Sequence, residues 1–160
     1  MKFEEMTVGA FIDELASNSP APVAALCGSL ASGLTSMVGN LTVGKEKYKD
    51  NWAAMEKVFQ ESEILRASFV KLMNDDTESF NVFMAAMKMP KDTDEQKAAR
   101  RAAMAEASKT ATDVPLRTLE ACAVAARLAC EAASFGNPNA ASDAGSAALL
   151  ADAAGKVASQ

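Results

Sequence analysis

An all-α fold is predicted for this chain: an antiparallel bundle of about five or six helices, several of them long and one kinked at Pro115. Alanine and methionine are abundant, whereas the 160 residues include seven phenylalanines, one tryptophan and one tyrosine. Apolar residues recur at helical spacing and do not alternate with the period of two that is typical of strands. A chain of this length can bury one core, so residues 1–160 are interpreted as a single helical domain.

The first two helices are bounded by a capping threonine and a proline-containing break. Thr7 can cap a short helix that ends near Ala16. Pro22 suits the first turn of a second helix that ends near Val43. Large apolar residues at helical spacing supply the predicted core of both helices, namely Phe11, Ile12, Leu15, Val23, Leu26, Leu30, Leu34, Met37, Val38 and Leu41.

Two long helices and a shorter one complete the prediction. The third is expected over about 51–87 and the fourth over about 94–134, where Pro115 should kink or divide it because proline has no amide hydrogen. Gly136 ends the fourth helix, and the last begins near Ser142. The predicted core of the third helix consists of Trp52, Met55, Val58, Phe59, Ile64, Leu65, Phe69, Leu72 and Met73.

Small residues mark the second helix as unusual. They recur every four residues in two rows, Gly28-Ser32-Ser36 and Ala25-Ser29-Gly33. Glycine inside a helix is about 1 kcal/mol less favourable than alanine, so two of them need a packing reason. Small side chains let another helix approach closely. We therefore expect this helix to be buried in the bundle or to lie at a dimer interface.

Charge and terminal sequence narrow the class of protein. The net charge of −5 argues against nucleic acid as a principal partner, because neutralising phosphates requires a basic face. No apolar run approaches the length expected of a membrane span, and the acidic start of the chain lacks the apolar segment of a secretion signal. We expect a cytoplasmic protein that binds neither nucleic acid nor membrane.

Cysteine and histidine usage restricts the chemistry. Cys27, Cys122 and Cys130 form an odd set without paired spacing, which indicates reduced, buried thiols. The chain has no histidine, which removes the commonest general base and every histidine-based metal site. The carboxylates lack the spacing of a metal set, and no phosphate-binding glycine motif is present. Proton transfer must therefore use Asp, Glu, Lys, Tyr or Cys.

Polar side chains at helix ends and breaks are the candidate site residues. In an up-and-down bundle the connections lie at two ends, so some of these groups can converge on one pocket. Each also has a structural explanation: a solvated turn, packing, helix capping or a surface position. The candidates are Ser19, Pro20, Lys45, Lys47, Tyr48, Asp75, Asp76, Lys88, Asn137, Asn139, Ser142 and Asp143.

An ordered set of short motifs resembles the formiminotransferase-cyclodeaminase C-terminal family. The motifs are Ser19-Pro20-Ala21-Pro22, Asn40-Leu41-Thr42, Lys45-Glu46-Lys47-Tyr48, Asp75-Asp76 with Phe80, Lys88-Met89-Pro90, Val114-Pro115-Leu116, Asn137-Pro138-Asn139 and Ser142-Asp143-Ala144-Gly145. The resemblance implies one cyclodeaminase-like helical domain and a homodimer. It also implies one-carbon tetrahydrofolate substrates, without a metal or redox cofactor.

The activity implied by the resemblance is conversion of 5-formiminotetrahydrofolate to 5,10-methenyltetrahydrofolate with release of ammonia. Methenyltetrahydrofolate cyclohydrolase is the alternative, and a non-catalytic helical scaffold stays open. From its chemical type, a catalytic carboxylate from Asp75, Asp76 or Asp143 can hold the cationic amidine, and Asp143→Asn should greatly reduce turnover. The proposed binding residues are Asn137 and Asn139 for the pterin edge, and Lys45, Lys47 and Lys88 for the glutamate tail.

The chain departs from the family pattern directly after the Ser-Pro-x-Pro stretch and at its end. Family members usually carry a Gly-Gly-Gly-Ser-like insert after the Ser-Pro-x-Pro stretch, whereas here Val23 follows Pro22 directly. They also continue with another helical segment beyond the last alanine-rich helix. We expect both pieces in the natural protein, and an intact mass equal to that of these 160 residues would contradict this. The missing glycine-rich insert is the feature that favours a non-catalytic helical scaffold.

Overall fold

Residues 3–17 and 21–160 are described by a computed structural model, and within them all regular structure is helical. The α-helices are α1 (Val8–Leu15), α2 (Val23–Asn40), α3 (Trp52–Met87), α4 (Asp94–Phe135) and α5 (Ala141–Ala158). Three short 3-10 helices lie at Phe3–Glu5, Glu46–Asn51 and Pro138–Ala140. The predicted all-α class is confirmed, and the helix bounds lie close to those expected from caps and breakers.

The helices α2 to α5 form the bundle. Neighbouring pairs pack along their lengths, and α2 also contacts α4 across the bundle. The backbone N–H of Asn137 donates to Thr42 Oγ1 at 2.9 Å, which joins the end of α2 to the start of α5. The first residues of α2 and the last of α5 line one cavity. These two helices are therefore antiparallel.

The α3–α4 pair extends beyond the other helices. Gly28 of α2 faces Phe69 of α3, and Gly39 faces Phe59, so α3 runs antiparallel to α2 and passes its start near residue 76. Residues 77–112, here called the hairpin, contribute nothing to the two clusters of buried apolar side chains that form the core. The hairpin therefore projects from the bundle at the end where α2 begins.

Small residues form the buried face of α2, as predicted. A Cβ atom on Gly28 would lie 2.7 Å from Cδ1 of the Phe69 ring, well inside van der Waals contact. The large apolar residues of α2 point outward instead: Leu30, Met37 and Leu41 are 51%, 37% and 40% exposed. Their prediction as core residues is wrong, because the face that packs on α3 has room only for small side chains.

Other core predictions fail where an apolar residue lies on the outer face of its helix. Ile12 and Leu15 of α1 are exposed, and so is Ile64 of α3. Only part of α1 is covered, with Phe11 packed edge-to-face on Phe3 at a ring distance of 5.6 Å. The three cysteines are free as expected, but the expected burial fails for two of them: Cys122 is buried, Cys27 is partly exposed and Cys130 is exposed.

Two helix caps and one helix-interior proline test the local predictions. Thr7 Oγ1 accepts a hydrogen bond from Ala10 N at 3.1 Å, so the predicted cap of α1 is confirmed. Thr93 and Gln96 form a reciprocal capping box at the start of α4. The helix α4 continues through Pro115, so this proline does not divide it. Pro115 still removes one helical hydrogen bond, since it has no N–H to donate to the Ala111 carbonyl.

The length of α2 corrects the sequence-based statement that no apolar run approaches the length of a membrane span. Its 18 residues are long and apolar enough to cross a membrane by length and composition alone. This helix nevertheless packs against α3, α4 and α5, as the core helix of a bundle does. Packing within the protein therefore accounts for the buried small residues of α2, whereas Leu30, Met37 and Leu41 lie on its exposed side.

Candidate functional site

Apart from Lys88, the predicted site residues that the structure describes divide between the two ends of α2. A helix of 18 residues is about 27 Å long, since each residue adds about 1.5 Å. Asp76 lies near the start of α2, whereas Asn137 and Tyr48 lie near its end. Ser19 and Pro20 lie outside the described residues. The described candidates therefore do not all meet at one place within a protomer, although Tyr48 and Asn137 are in contact.

Asp76 is the predicted site residue that lines pockets between the described helices. Its half-buried carboxyl lies on the wall of a cavity of about 260 Å³, formed by the start of α2, Pro115 and Thr118 of α4, and the end of α5. It also lines a second cavity of about 140 Å³, between α3 and α4. Among the described residues Asp76 has no ion-pair partner. A carboxyl at this position can exchange a proton with a bound molecule.

Burial is the cause of the altered acidity of Asp76. Loss of hydration disfavours the charged carboxylate, which raises the pKa of Asp76 above its usual value. A raised pKa makes the carboxylate a stronger base and lets the carboxyl keep its proton to a higher pH. Both properties suit acid–base chemistry in a protein without histidine.

The neighbouring Asp75 has a structural explanation. Its carboxylate lies 3.3 Å from the Arg117 guanidinium of α4, which also lies 3.6 Å from Asp113. These groups are partly exposed, and such ion pairs contribute little to stability. Of the two adjacent aspartates, Asp75 forms an ion pair on the surface and Asp76 faces the cavities.

Aromatic side chains of α3 form part of the smaller cavity. Phe80 and Phe83 line it together with Asp76, and Ala111 of α4 closes its other side. Phe80 is 41% exposed, so its ring is accessible from outside. Flat apolar rings beside a carboxyl can stack on an aromatic ligand while the carboxyl bonds to its polar edge. Phe83 was not identified as a site residue from the sequence, although its spacing of seven residues from Asp76 places it on the same face of α3.

Asn137 holds together the loop at the other end of α2. Its Oδ1 accepts hydrogen bonds from Tyr48 Oη at 2.8 Å and from Asn139 N at 3.0 Å. Its Nδ2 donates to the Leu41 carbonyl at 3.2 Å. The side chain of Asn137 is thus largely used within the protein, where it fixes the connection between α4 and α5.

The remaining candidates at this end are more accessible. Lys45 and Lys47 are exposed, with Lys47 Nζ located 5.5 Å from the centre of the Tyr48 ring. Asn139 and Ser142 are also exposed. Asp143 is partly buried in the first turn of α5, where the helix dipole favours a negative charge. These groups can contact a ligand that covers this end of the bundle.

Lys88 lies at neither end of α2. It follows α3 at the tip of the hairpin, twelve positions beyond Asp76 and hence about 18 Å along the helix. Beside this tip the structure contains a group of cations that sequence reasoning did not identify: Lys91, Lys97, Arg100 and Arg101. Among the described residues, no three Cys, Asp or Glu side chains come close enough together to hold a metal ion.

The fold and the Asp76 cavities define a helical bundle with a half-buried carboxyl beside the start of α2. Comparison with known proteins identifies its family: residues 7–160 match the formiminotransferase-cyclodeaminase family, and the chain belongs to that family. The resemblance drawn from the ordered motifs is therefore confirmed. So is the expectation that the chain is an enzyme, since the relatives found carry enzyme names.

Individual relatives carry two different enzyme names. The chain is 46% identical over 149 residues to the methenyltetrahydrofolate cyclohydrolase of Methylorubrum extorquens, covering 91% of this chain and 72% of that protein. It is 35% identical over 114 residues to the formimidoyltransferase-cyclodeaminase of Sus scrofa, covering 69% of this chain and 21% of that protein.

A solved structure shares the fold. The formiminotetrahydrofolate cyclodeaminase of Thermotoga maritima superposes with a TM-score of 0.83 at 29% identity, covering 98% of this chain and 76% of that chain. The predicted bundle is thus confirmed by comparison as well. The choice of cyclodeaminase over cyclohydrolase is not confirmed, because a more similar relative is named a cyclohydrolase.

Proposed function

We propose that this protein hydrolyses 5,10-methenyltetrahydrofolate to a formyltetrahydrofolate, with Asp76 as the general base. The observation that carries the proposal is the half-buried Asp76 carboxyl, which faces two cavities and has no ion-pair partner among the described residues. The identity of 46% to a methenyltetrahydrofolate cyclohydrolase supports this choice of reaction.

The reaction needs a base and a counter-charge, and one carboxylate supplies both. The methenyl carbon lies between N5 and N10 in a cationic amidinium, so it is already electrophilic. Asp76 takes a proton from water as the oxygen bonds to this carbon. The hydroxyl of the resulting carbinolamine loses its remaining proton to solvent as the carbonyl forms. The carbon–nitrogen bond to one ring nitrogen breaks, and that nitrogen receives the proton held by Asp76. In total one water is consumed and one proton is released, and the oxidation level of the carbon is unchanged.

No redox cofactor is required by this chemistry, and the nucleophile is water. The protein has to orient the substrate, exclude competing water and stabilise the developing charges. We assign the stacking of the substrate's aromatic rings to Phe80 and Phe83, which line the cavity beside Asp76.

The second candidate is the cyclodeaminase reaction, which is favoured by the similarity to the Thermotoga maritima enzyme. There N10 of 5-formiminotetrahydrofolate attacks the formimino carbon, and ammonia leaves as the methenyl bridge forms. The protonated form of Asp76 would donate the proton to the departing nitrogen. The raised pKa of Asp76 suits this role, because the carboxyl then keeps its proton to a higher pH than an ordinary aspartate does.

One spectrophotometric experiment separates these reactions. The purified protein is incubated in parallel with 5,10-methenyltetrahydrofolate and with 5-formiminotetrahydrofolate, and the methenyl absorbance is followed against enzyme-free controls. Accelerated loss of the signal from the first substrate is the expected result. A gain of signal from the second identifies a cyclodeaminase. No change over the controls with either substrate would contradict both enzymatic proposals and favour a scaffold.

We also propose a homodimer formed through α2. Leu30, Met37 and Leu41 are exposed on this helix at intervals of seven and four residues, so they lie on one side of it. Residues of this size are usually buried, and an exposed apolar stripe is typical of an interface. Two copies related by a two-fold axis can pack this stripe against itself, which is the commonest arrangement in homodimers.

The dimer can be tested by charging the stripe. Leu30→Lys/Met37→Lys is expected to give a monomer by light scattering after size-exclusion chromatography, because burying two lysines against their copies is strongly unfavourable. Leu116→Lys is the control, since Leu116 is 52% exposed on α4, across the bundle from α2. A dimer that survives the double substitution would contradict an α2 interface.

Antiparallel packing of two α2 helices would unite the two groups of predicted residues. The start of one α2 would lie beside the end of its partner, so that Asp76 of one protomer would face the partner's Asp143. The separation of about 27 Å within a protomer would then no longer keep these groups apart. We propose that each folate site uses Asp76 from one protomer and Asp143 from the other.

A further inference from the structure

Pro115 lies where a helix tolerates proline least. It is near the middle of α4, and the helix continues through it to Phe135. Proline is the least favourable residue in a helix interior, because it has no N–H and its ring presses on the carbonyl four residues earlier. Since α4 does not end here, helix termination does not explain the residue. Pro115 does line the cavity of about 260 Å³ beside Asp76, which connects it with the candidate site.

Pro115 leaves one backbone carbonyl without its helical donor. In α4 the Ala111 carbonyl would accept a hydrogen bond from the N–H of residue 115, which proline lacks. The proline ring also tilts this carbonyl away from the helix axis. Ala111 lines the cavity of about 140 Å³ between α3 and α4, across from Asp76. A backbone acceptor that lacks its usual partner therefore lies beside the candidate base.

The face of α4 that carries Pro115 is the face that lines both Asp76 cavities. Ala111, Pro115 and Thr118 follow one another at spacings of four and three residues, which places them on one side of the helix. Pro115 and Thr118 line the larger cavity, and Ala111 lines the smaller one. Asp76 lines both. The Ala111 carbonyl and the Asp76 carboxyl therefore belong to the same site.

Hydroxyl groups beside Asp76 are already used as hydrogen-bond donors. Each donates to a backbone carbonyl of its own helix, at 3.1 Å for Thr77 and at 2.9 Å for Ser79 and Thr118. Among the described residues, no side chain donates to the Ala111 carbonyl. Thr112, the next residue, donates to the Ser108 carbonyl instead. The Ala111 carbonyl is therefore open to a hydrogen bond from a bound molecule.

A water molecule that attacks carbon needs a fixed orientation as well as a base. A water held by Asp76 alone can rotate about that one hydrogen bond, so its lone pairs have no fixed direction. A second acceptor takes the other hydrogen and fixes the direction of the lone pair that forms the new bond. Orientation of the reacting groups is a large part of enzymatic rate enhancement.

We propose that the Ala111 carbonyl and Asp76 together hold the attacking water, and that Pro115 is the positioning residue that keeps this carbonyl open. This rests on the proposed hydrolysis of the methenyl group. One hydrogen of the water passes to Asp76 as its oxygen bonds to the methenyl carbon. The other hydrogen stays bonded to the Ala111 carbonyl until it is lost to solvent as the formyl carbonyl forms.

Pro115→Ala tests the proposal by restoring the missing N–H. Alanine at this position is expected to donate to the Ala111 carbonyl and close it to water. We expect kcat with 5,10-methenyltetrahydrofolate to fall about tenfold, the effect of losing one hydrogen bond. KM should stay close to its wild-type value, because the lost bond is made to water and not to the substrate. The urea midpoint should rise, since alanine is the better helix former.

Opposite changes in activity and stability distinguish this role from a structural one. A proline needed only for the shape of the helix would, on replacement, lower both stability and turnover. Leu116→Ala is the matched control, because it changes the next residue of α4, which is 52% exposed and has its N–H already. It should leave kcat at the wild-type value. A rise in KM at unchanged kcat in Pro115→Ala would overturn the role in holding water.

Amide hydrogen exchange in Pro115→Ala tests the geometry without any need for activity. The new N–H of residue 115 should exchange slowly, because it bonds to the Ala111 carbonyl within the helix. Fast exchange would show that this carbonyl is not the acceptor that proline leaves open, and would overturn the proposal. Slow exchange with wild-type kcat would overturn the role in holding water and leave the hydrolysis in place. A wild-type protein without turnover would overturn the hydrolysis itself, and this role with it.

Discussion

Asp76→Asn is expected to lower turnover of the folate substrate by about 10²–10⁴-fold, the usual contribution of a general acid or base. Asparagine has nearly the same shape as aspartate but cannot take or give the proton. The two cavities beside residue 76 should keep their form, so KM should change much less than kcat. Steady-state kinetics by methenyl absorbance measures both constants.

The adjacent aspartate provides a matched comparison. Asp75→Asn makes the same chemical change one residue earlier, where the carboxylate pairs with Arg117 near the surface. Because a partly exposed ion pair contributes little, we expect turnover to stay within a few fold of wild type. Equal loss in both variants would contradict the assignment of the proton transfer to Asp76.

Asp76→Asn also has a predictable effect on the stability of the fold. Burial raises the pKa of Asp76, so folding favours its protonated form. The stability that comes from this preference is fully present below the pKa of Asp76 in the unfolded chain. It is lost as the pH rises through the pKa of Asp76 in the folded protein. Asp76→Asn should therefore be more stable than wild type at neutral pH, and this advantage should shrink on acidification. Urea unfolding at several pH values tests the sign.

Phe69→Ala is expected to produce the largest loss of stability, about 3–5 kcal/mol of unfolding free energy. The ring is fully buried and lies directly over Gly28, where α2 and α3 meet. Its removal leaves a void that the backbone cannot fill. A domain of ordinary stability would lose much of its margin, and urea denaturation measures the change.

Two further variants show whether the loss arises from this contact. Phe135→Ala removes a ring that is 43% exposed at the end of α4 and should cost far less than Phe69→Ala. Gly28→Ala should destabilise the protein by about 1–3 kcal/mol, because the new methyl group overlaps the ring. In combination with Phe69→Leu, the loss should be smaller than the sum of the single effects. Simple additivity would contradict direct packing of residue 28 on residue 69.

Local signals predicted the helices well because each has a physical cause within a few residues. The Thr7 cap and the Thr93 capping box set the starts of α1 and α4. The small residues of α2 correctly indicated a close helix contact, which Gly28 and Phe69 now explain. Such signals do not say which face of a helix is covered, and for this reason Leu30 was wrongly placed in the core.

The candidate site depends on long-range geometry, which local patterns do not contain. Asp75 and Asp76 look equivalent in the sequence, but one meets Arg117, which is 42 positions later, and the other faces a cavity. The motif order could not reveal that Asn137 and Asp76 lie at opposite ends of α2. The group of four cations beside the hairpin tip also escaped notice, because these residues are mixed with acidic residues along the chain.

Mixing two inactive variants tests whether Asp76 of one protomer works with the partner's Asp143. Asp76→Asn and Asp143→Asn are each expected to lose most turnover as homodimers. After unfolding and refolding together, about half of the dimers are mixed, and each mixed dimer has one intact site of two. If the two protomers share each site, the mixture should recover about a quarter of wild-type turnover. If both variants are inactive alone and their mixture also stays inactive, the shared site is contradicted; full activity of Asp76→Asn alone would contradict the proposed chemistry.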